Sequence, residues 1–181
     1  EKIIDGEFEA LRKIIPEAFV GFENASVEEI VHQLFIERGE SLSIAESCTG
    51  GNIAAKFTAM AGASAYLHAG VVSYSNESKR DILGVNMDDI VRYGAVSEQV
   101  ALQMAEGAKR VGASHYAIST TGIAGPTGGS AEKPVGTVWI GIATPTRTFA
   151  VLKNCGTDRG QIIQRATAYA IKLLLNELQC E

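Results

Sequence analysis

Two hydroxyls, a thiol and two glycines stand close together in Ala45-Glu46-Ser47-Cys48-Thr49-Gly50-Gly51, between a short apolar run and a helix-like one. A hydroxyl or thiol so placed can attack an electrophilic carbon. The open amides of a glycine turn at a helix start can then hold the negative charge that develops. A structural reading serves this segment equally well, with Thr49 capping the helix and Gly50-Gly51 allowing close packing. A second polar loop, Thr120-Thr121-Gly122-Ile123-Ala124-Gly125-Pro126-Thr127-Gly128-Gly129-Ser130, follows another apolar run. Its unhindered amides suit an anion nest, although it matches neither the phosphate-binding P-loop nor the dinucleotide fingerprint.

A base for the hydroxyl is harder to find. Lys79, in Tyr74-Ser75-Asn76-Glu77-Ser78-Lys79, lies one helical turn past an apolar run, where burial would lower its basicity enough for it to act as a neutral amine. Most lysines are solvated instead. Ser64, in Ala61-Gly62-Ala63-Ser64-Ala65, is a second candidate hydroxyl whose ordinary role would be a helix cap. His32, His68 and His115 form no ligand-spaced pair, and Glu46, Asp88, Asp89 and Asp158 are scattered, so no metal or other cofactor is expected. Cys48 has no evident histidine partner and reads as a small buried filler.

These residues need elements to hold them. Ser26 and Glu29 form a capping box before the apolar positions Val27, Ile30, Val31, Leu34 and Phe35, which predicts a helix from Val27 to Arg38 ended by Gly39. Leu42 to Ala45 then reads as a strand running through the polar turn into a helix over Ile53 to Met60. The pattern repeats with a strand at Gly70 to Tyr74 and a helix opened by Asn76 and stopped at Gly84. Ser97 caps a third helix, Tyr116 to Thr120 is a third strand, and Gly136 to Thr144 with Thr146 to Lys153 makes an antiparallel hairpin. Asp158 caps a long final helix with an apolar face from Ile162 to Leu174. The alternation predicts a three-layer α/β/α sandwich with a mixed, mostly parallel sheet and the hairpin added at its C-terminal side.

Composition narrows the partners. The 181 residues carry a net charge of -5, which argues against a broad nucleic-acid surface. No apolar run approaches the roughly 20 residues of a membrane span, and there is no signal-peptide pattern at Glu1, so no membrane partner is expected. The three cysteines are widely spaced and suggest no disulfide framework, which fits a cytoplasmic setting. Residues 1–25 read as the tail of a preceding region and 26–181 as one domain, so the chain is expected to be the C-terminal part of something longer.

Taken in order, AESCTGG (Ala45 to Gly51), YSNESK (Tyr74 to Lys79), GAVS (Gly94 to Ser97), GIAGPTGGS (Gly122 to Ser130) and KPVGTVW (Lys133 to Trp139) closely resemble the CinA C-terminal domain family over about residues 26–178. The resemblance implies an amidase that converts nicotinamide mononucleotide to nicotinic acid mononucleotide and ammonia. It places Ser47, Ser64, Tyr74, Lys79 and Thr121 in the pocket. Lys79 would deprotonate Ser47 directly or through Ser64, and Tyr74 would pass a proton to the leaving ammonia. Both serines remain candidate nucleophiles, with Ser47 preferred for its place at a helix start. Cys48, Thr49 and Gly50 would line the oxyanion, while Thr121, Gly122, Gly125, Gly128 and Arg159 would hold the phosphate. A homo-oligomer, a dimer or larger, is implied as well. The competing reading is a catalytically silent module that binds a pyridine nucleotide and regulates a larger protein.

Overall fold

The computed structural model describes residues 25–180. Residues 1–24 of the tail expected over 1–25 lie outside the described residues. Five strands form one sheet in the order β2-β1-β3-β4-β5: β1 (Leu42–Glu46), β2 (Leu67–Val72), β3 (Tyr116–Gly122), β4 (Thr137–Ala143) and β5 (Thr148–Asn154). β1 pairs in parallel with both β2 and β3, and β4 pairs antiparallel with β3 and with β5. The parallel trio and the added hairpin are as expected, and the ladders divide evenly between the two senses.

Among the described residues six α-helices cover the two faces: α1 (Val27–Arg38), α2 (Asn52–Thr58), α3 (Asn76–Leu83), α4 (Met87–Tyr93), α5 (Glu98–Gly112) and α6 (Arg159–Cys180). β2 and β3 flank β1 on opposite sides, so right-handed crossovers must send α2 to one face and α5 to the other. The core divides accordingly. Val31, Phe35, Ile53, Phe57, Ile162 and Leu174 pack with Ile44 and Ile118 on one face. Leu83, Ile90, Val100, Met104 and Ala105 pack with Ala45 and Ala117 on the other. β1 is buried along its whole length, as a strand covered on both faces must be. Close approach of α5 to β4 depends on Gly141, where a Cβ would stand 2.6 Å from the Ala101 carbonyl oxygen.

The capping box at Ser26 forms as expected, with the Ser26 amide 2.7 Å from Glu29 Oε2 and the Glu29 amide 3.3 Å from Ser26 Oγ. Most boundaries shift by one to three residues, and three differences matter for the site. β2 begins at Leu67 rather than Gly70, because Leu67 already pairs with Leu42. α3 is capped by Ser75, whose hydroxyl accepts from the Ser78 amide at 3.0 Å, so Asn76 becomes the first helical residue and not the cap. α4 was not anticipated, and its cap is Asn86, which accepts from the Asp88 amide at 2.8 Å.

Candidate active site

The sheet order reverses direction at β1, and open α/β sheets bind ligands outside the carboxyl ends of the strands where that happens. The segments leaving β1, β2 and β3 all meet there around a cavity of about 320 Å³. Its lining includes Ser47 and Cys48 after β1, Tyr74, Asn76 and Lys79 after β2, and Thr121, Gly122, Gly125 and Gly128 at the end of β3, with Arg159 from the start of α6. Four sequence words far apart in the chain thus share one hollow of small-ligand size.

Lys79 turns back from the first turns of α3 toward the end of β2. Its Nζ lies 3.1 Å from Ser47 Oγ, 2.8 Å from the carbonyl oxygen of Ser73 and 3.4 Å from that of Tyr74. The side chain is only 2 % exposed. Burial pushes its basicity below the ordinary lysine value, against a smaller opposing influence from the Cys48 thiol. The two carbonyls can only accept, so they take two amine hydrogens. The third direction faces the Ser47 oxygen, to which the amine can donate a hydrogen and to which, when neutral, it can instead turn its lone pair. An amine so placed could take a proton from the hydroxyl beside it.

The neighbouring thiol does not compete. Burial pushes Cys48 up to about 12, so it stays protonated and unreactive near neutrality.

Glu46, at the last position of β1, performs a task that sequence inspection missed. Its carboxylate, 1 % exposed, accepts from the amides of Gly51 at 2.9 Å, Ile53 at 3.2 Å and Ala54 at 2.9 Å. The N-terminus of α2 is therefore filled by an anion from its own chain, five residues upstream of the first of those amides. Capping patterns look to the residue next to the helix, and Gly51 in that place has no side chain.

This changes the expected oxyanion turn. The Ser47 amide donates to the Thr120 carbonyl at 3.0 Å and the Gly50 amide to the Ser47 carbonyl at 3.1 Å. Thr49 is buried, its hydroxyl 2.7 Å from that of Thr120, and neither Thr49 nor Gly50 lines the cavity. Cys48 alone of the three proposed liners does so.

Ser64 is a correction. It lies in a 3-10 turn, exposed, beside a separate depression formed with Thr58, Met60 and Leu67. That turn precedes β2, whereas the cavity follows it, and the intervening six-residue strand spans roughly 16 Å. Within one chain Ser64 cannot relay a proton between Ser47 and Lys79.

The glycine-rich loop forms the opposite wall. Gly122 is required by close packing, since a Cβ there would come within 2.7 Å of Val138 Cγ2 and 3.0 Å of Cys48 Sγ. The Thr121 hydroxyl, expected to face a phosphate, is committed to the Ala95 carbonyl at 2.7 Å. Lys133, in the same loop, donates to the carbonyls of Tyr93 at 2.6 Å and Val96 at 2.7 Å. These bonds fasten the Gly94-to-Ser97 turn so that Ala95 and Val96 become a cavity wall. At the mouth, Arg159 donates to the Gly125 carbonyl at 2.7 Å and to the Tyr74 hydroxyl at 3.2 Å. Tyr74 is 62 % exposed. Among the described residues no group of three or more His, Cys, Asp or Glu side chains could hold a metal ion, and no helix is long and apolar enough to cross a membrane.

The family model of the CinA C-terminal domain matches residues 24–178. A CinA-like protein of Shewanella woodyi is 45% identical over 169 residues, covering 93% of this chain and 40% of that protein. Another, of Endomicrobium trichonymphae, is 42% identical over 165 residues, covering 91% of this chain and 39% of its own length. The chain thus spans about two-fifths of the curated relatives it matches. Among solved structures, the competence/damage inducible protein CihA of Agrobacterium tumefaciens aligns with a TM-score of 0.80 at 40% identity, covering 86% of this chain and 99% of that one. The competence damage-inducible protein A of Klebsiella pneumoniae aligns with a TM-score of 0.81 at 35% identity, covering 84% and 95%. With its family words gathered around one cavity and its fold shared with these proteins, the chain belongs to the CinA family, through the C-terminal domain.

Proposed function

We propose that this domain hydrolyses the carboxamide of nicotinamide mononucleotide, giving nicotinic acid mononucleotide and ammonia, with Ser47 as nucleophile and Lys79 as its base. The observation that carries the reading is the buried amine of Lys79 at 3.1 Å from Ser47 Oγ, its two other hydrogen-bonding directions taken by carbonyls.

The chemistry balances as follows. Ser47 Oγ attacks the carboxamide carbon while Lys79 Nζ takes the hydroxyl proton. The tetrahedral intermediate collapses, the C–N bond breaks, and the proton on the Lys79 ammonium passes to the departing nitrogen, directly or through the Tyr74 hydroxyl, which gives its own proton and takes that of Lys79, so that ammonia leaves and Lys79 is neutral again. Tyr74 suits that second role because its oxygen accepts from Arg159, which leaves its own hydrogen free to donate. A water molecule then attacks the nicotinoyl ester while Lys79 takes its proton, and as the ester C–O bond breaks Lys79 returns that proton to Ser47 Oγ, which releases the acid and restores both groups. The phosphate is assigned to the amides around Gly125 and Gly128 and to Arg159, which keeps unused guanidinium donors at the mouth.

The test is ammonia release from nicotinamide mononucleotide by the purified chain in EDTA. Turnover that disappears in Ser47→Ala and in Lys79→Met supports the reading. Binding of the mononucleotide without turnover would replace it with the regulatory, binding-only module.

A further inference from the structure

The oxyanion of the proposed intermediate needs preorganised donors, and the turn that should supply them has spent most of its own. The amides of Ser47 and Gly50 are paired within the fold, and those of Gly51, Ile53 and Ala54 are held by Glu46. Among the described residues Cys48 and Thr49 hold the turn's remaining main-chain donors, the Cys48 amide facing its own thiol, and of the two only Cys48 lines the cavity. One donor is a poor oxyanion site.

The missing donor is available on α3. Asn76 lines the same cavity as Ser47 and Lys79. It stands three residues before Lys79 in the helix, so the two share a face. Asn76 is solvent-exposed, Ser75 has relieved it of capping, and among the described residues its carboxamide makes no hydrogen bond. A side-chain amide is a neutral donor that can point at a developing negative charge without competing for the proton moved by Lys79.

Resting on the amidase reading, we infer that Asn76 is a catalytic residue whose Nδ2 donates to the carboxamide oxygen and strengthens that bond as the oxygen becomes an anion. It is the partner of the Cys48 amide in the oxyanion site.

The experiment is steady-state hydrolysis of nicotinamide mononucleotide by wild type, Asn76→Ala and Asn76→Asp, with pH profiles and urea unfolding of each. Asn76→Ala is expected to lower kcat by about 10²–10³-fold, the usual cost of one oxyanion donor, with KM within a few-fold and the pH profile unmoved. Asn76→Asp, which places an acceptor and a charge where a donor is needed, is expected to fall at least as far. Unchanged unfolding midpoints separate this from a structural effect. Asn76→Ala retaining kcat within threefold of an active wild type overturns this inference alone. A wild type that releases no ammonia overturns the amidase reading and this inference with it.

Discussion

Lys79 Nζ and Ser47 Oγ sit 3.1 Å apart in a pocket wall where the amine meets two carbonyl oxygens. Its basicity lies below the ordinary value because the ammonium is desolvated. Hydrolysis should therefore rise with pH through a single ionisation below the ordinary lysine range, and Lys79→Arg should lose at least 10²-fold because a guanidinium stays charged. The same shift has a stability signature. Between the lowered folded value and the ordinary lysine value of 10.5, the unfolded chain binds more protons, so stability attributable to Lys79 rises with pH across that window. Urea unfolding over a pH series should show this rise in wild type and not in Lys79→Met. An equal slope in both would show that Lys79 is not buried as described.

The choice between hydroxyls follows from the strand ends they occupy. Ser47→Ala should abolish turnover, and mass spectrometry of the stalled enzyme should find the nicotinoyl adduct on the Ser47 peptide. Ser64→Ala, altering an exposed turn before β2, should stay within about twofold of wild type. An adduct on Ser64 would require a partner copy to supply it.

Thiol chemistry offers a check that needs no substrate. Cys180 is exposed, whereas Cys48 is buried with its thiol pushed up to about 12 and Cys155 is raised by burial too. Iodoacetamide at pH 8 should label Cys180 in the folded protein and leave the other two unmodified until denaturant is added. Rapid labelling of Cys48 would restore it as a rival nucleophile.

Much of this arrangement could be read before any coordinates, and the division has a physical basis. Strand, turn and helix succeed one another within a few residues around Ser47 and Lys79, so local pattern sufficed for them. What local pattern missed were relations across the fold. Glu46 caps α2 from the preceding strand, and the choice between Ser75 and Asn76 as cap depended on which backbone remained extended where β2 ends. α4 has seven residues and one buried apolar side chain, Ile90, too few to show a period. Ser64 stayed a candidate behind Ser47 because a small-residue turn does not record which end of a strand it joins.

Glu46 tests how far the nucleophile's position depends on its neighbour. Its carboxylate accepts from three amides, and charge-assisted bonds are individually worth about 1.5–3 kcal/mol. Glu46→Ala would leave those amides without their partner in a buried site. It should lower unfolding stability by about 2–4 kcal/mol, with kcat falling as the adjacent Ser47 loses its fixed turn. Glu46→Gln keeps an acceptor oxygen and should recover part of both. Urea midpoints and kcat measured together check this, and an Ala variant as stable as wild type would remove the role assigned to the carboxylate.

Lys133 acts at a distance from the chemistry, and its effect should separate from that of Lys79. Its ammonium joins the glycine-rich loop to the Tyr93 and Val96 carbonyls, and Thr121 adds a bond to Ala95 from the same side. With Met at 133 those carbonyls lose their donor and the Ala95-Val96 wall is free to shift, while Ser47, Lys79 and the bonds between them are untouched. The expected outcome is a KM for nicotinamide mononucleotide raised about tenfold, equivalent to ~1.4 kcal/mol, with kcat and the pH profile little changed. Lys133→Arg, which can still donate to both carbonyls, should restore most of the affinity. Faster amide hydrogen exchange over residues 93–97 in the Met variant, reversed in the Arg variant, would place the loss in the wall itself. If kcat fell with KM unchanged, the wall would be acting on the reacting groups and not on the seat of the nucleotide.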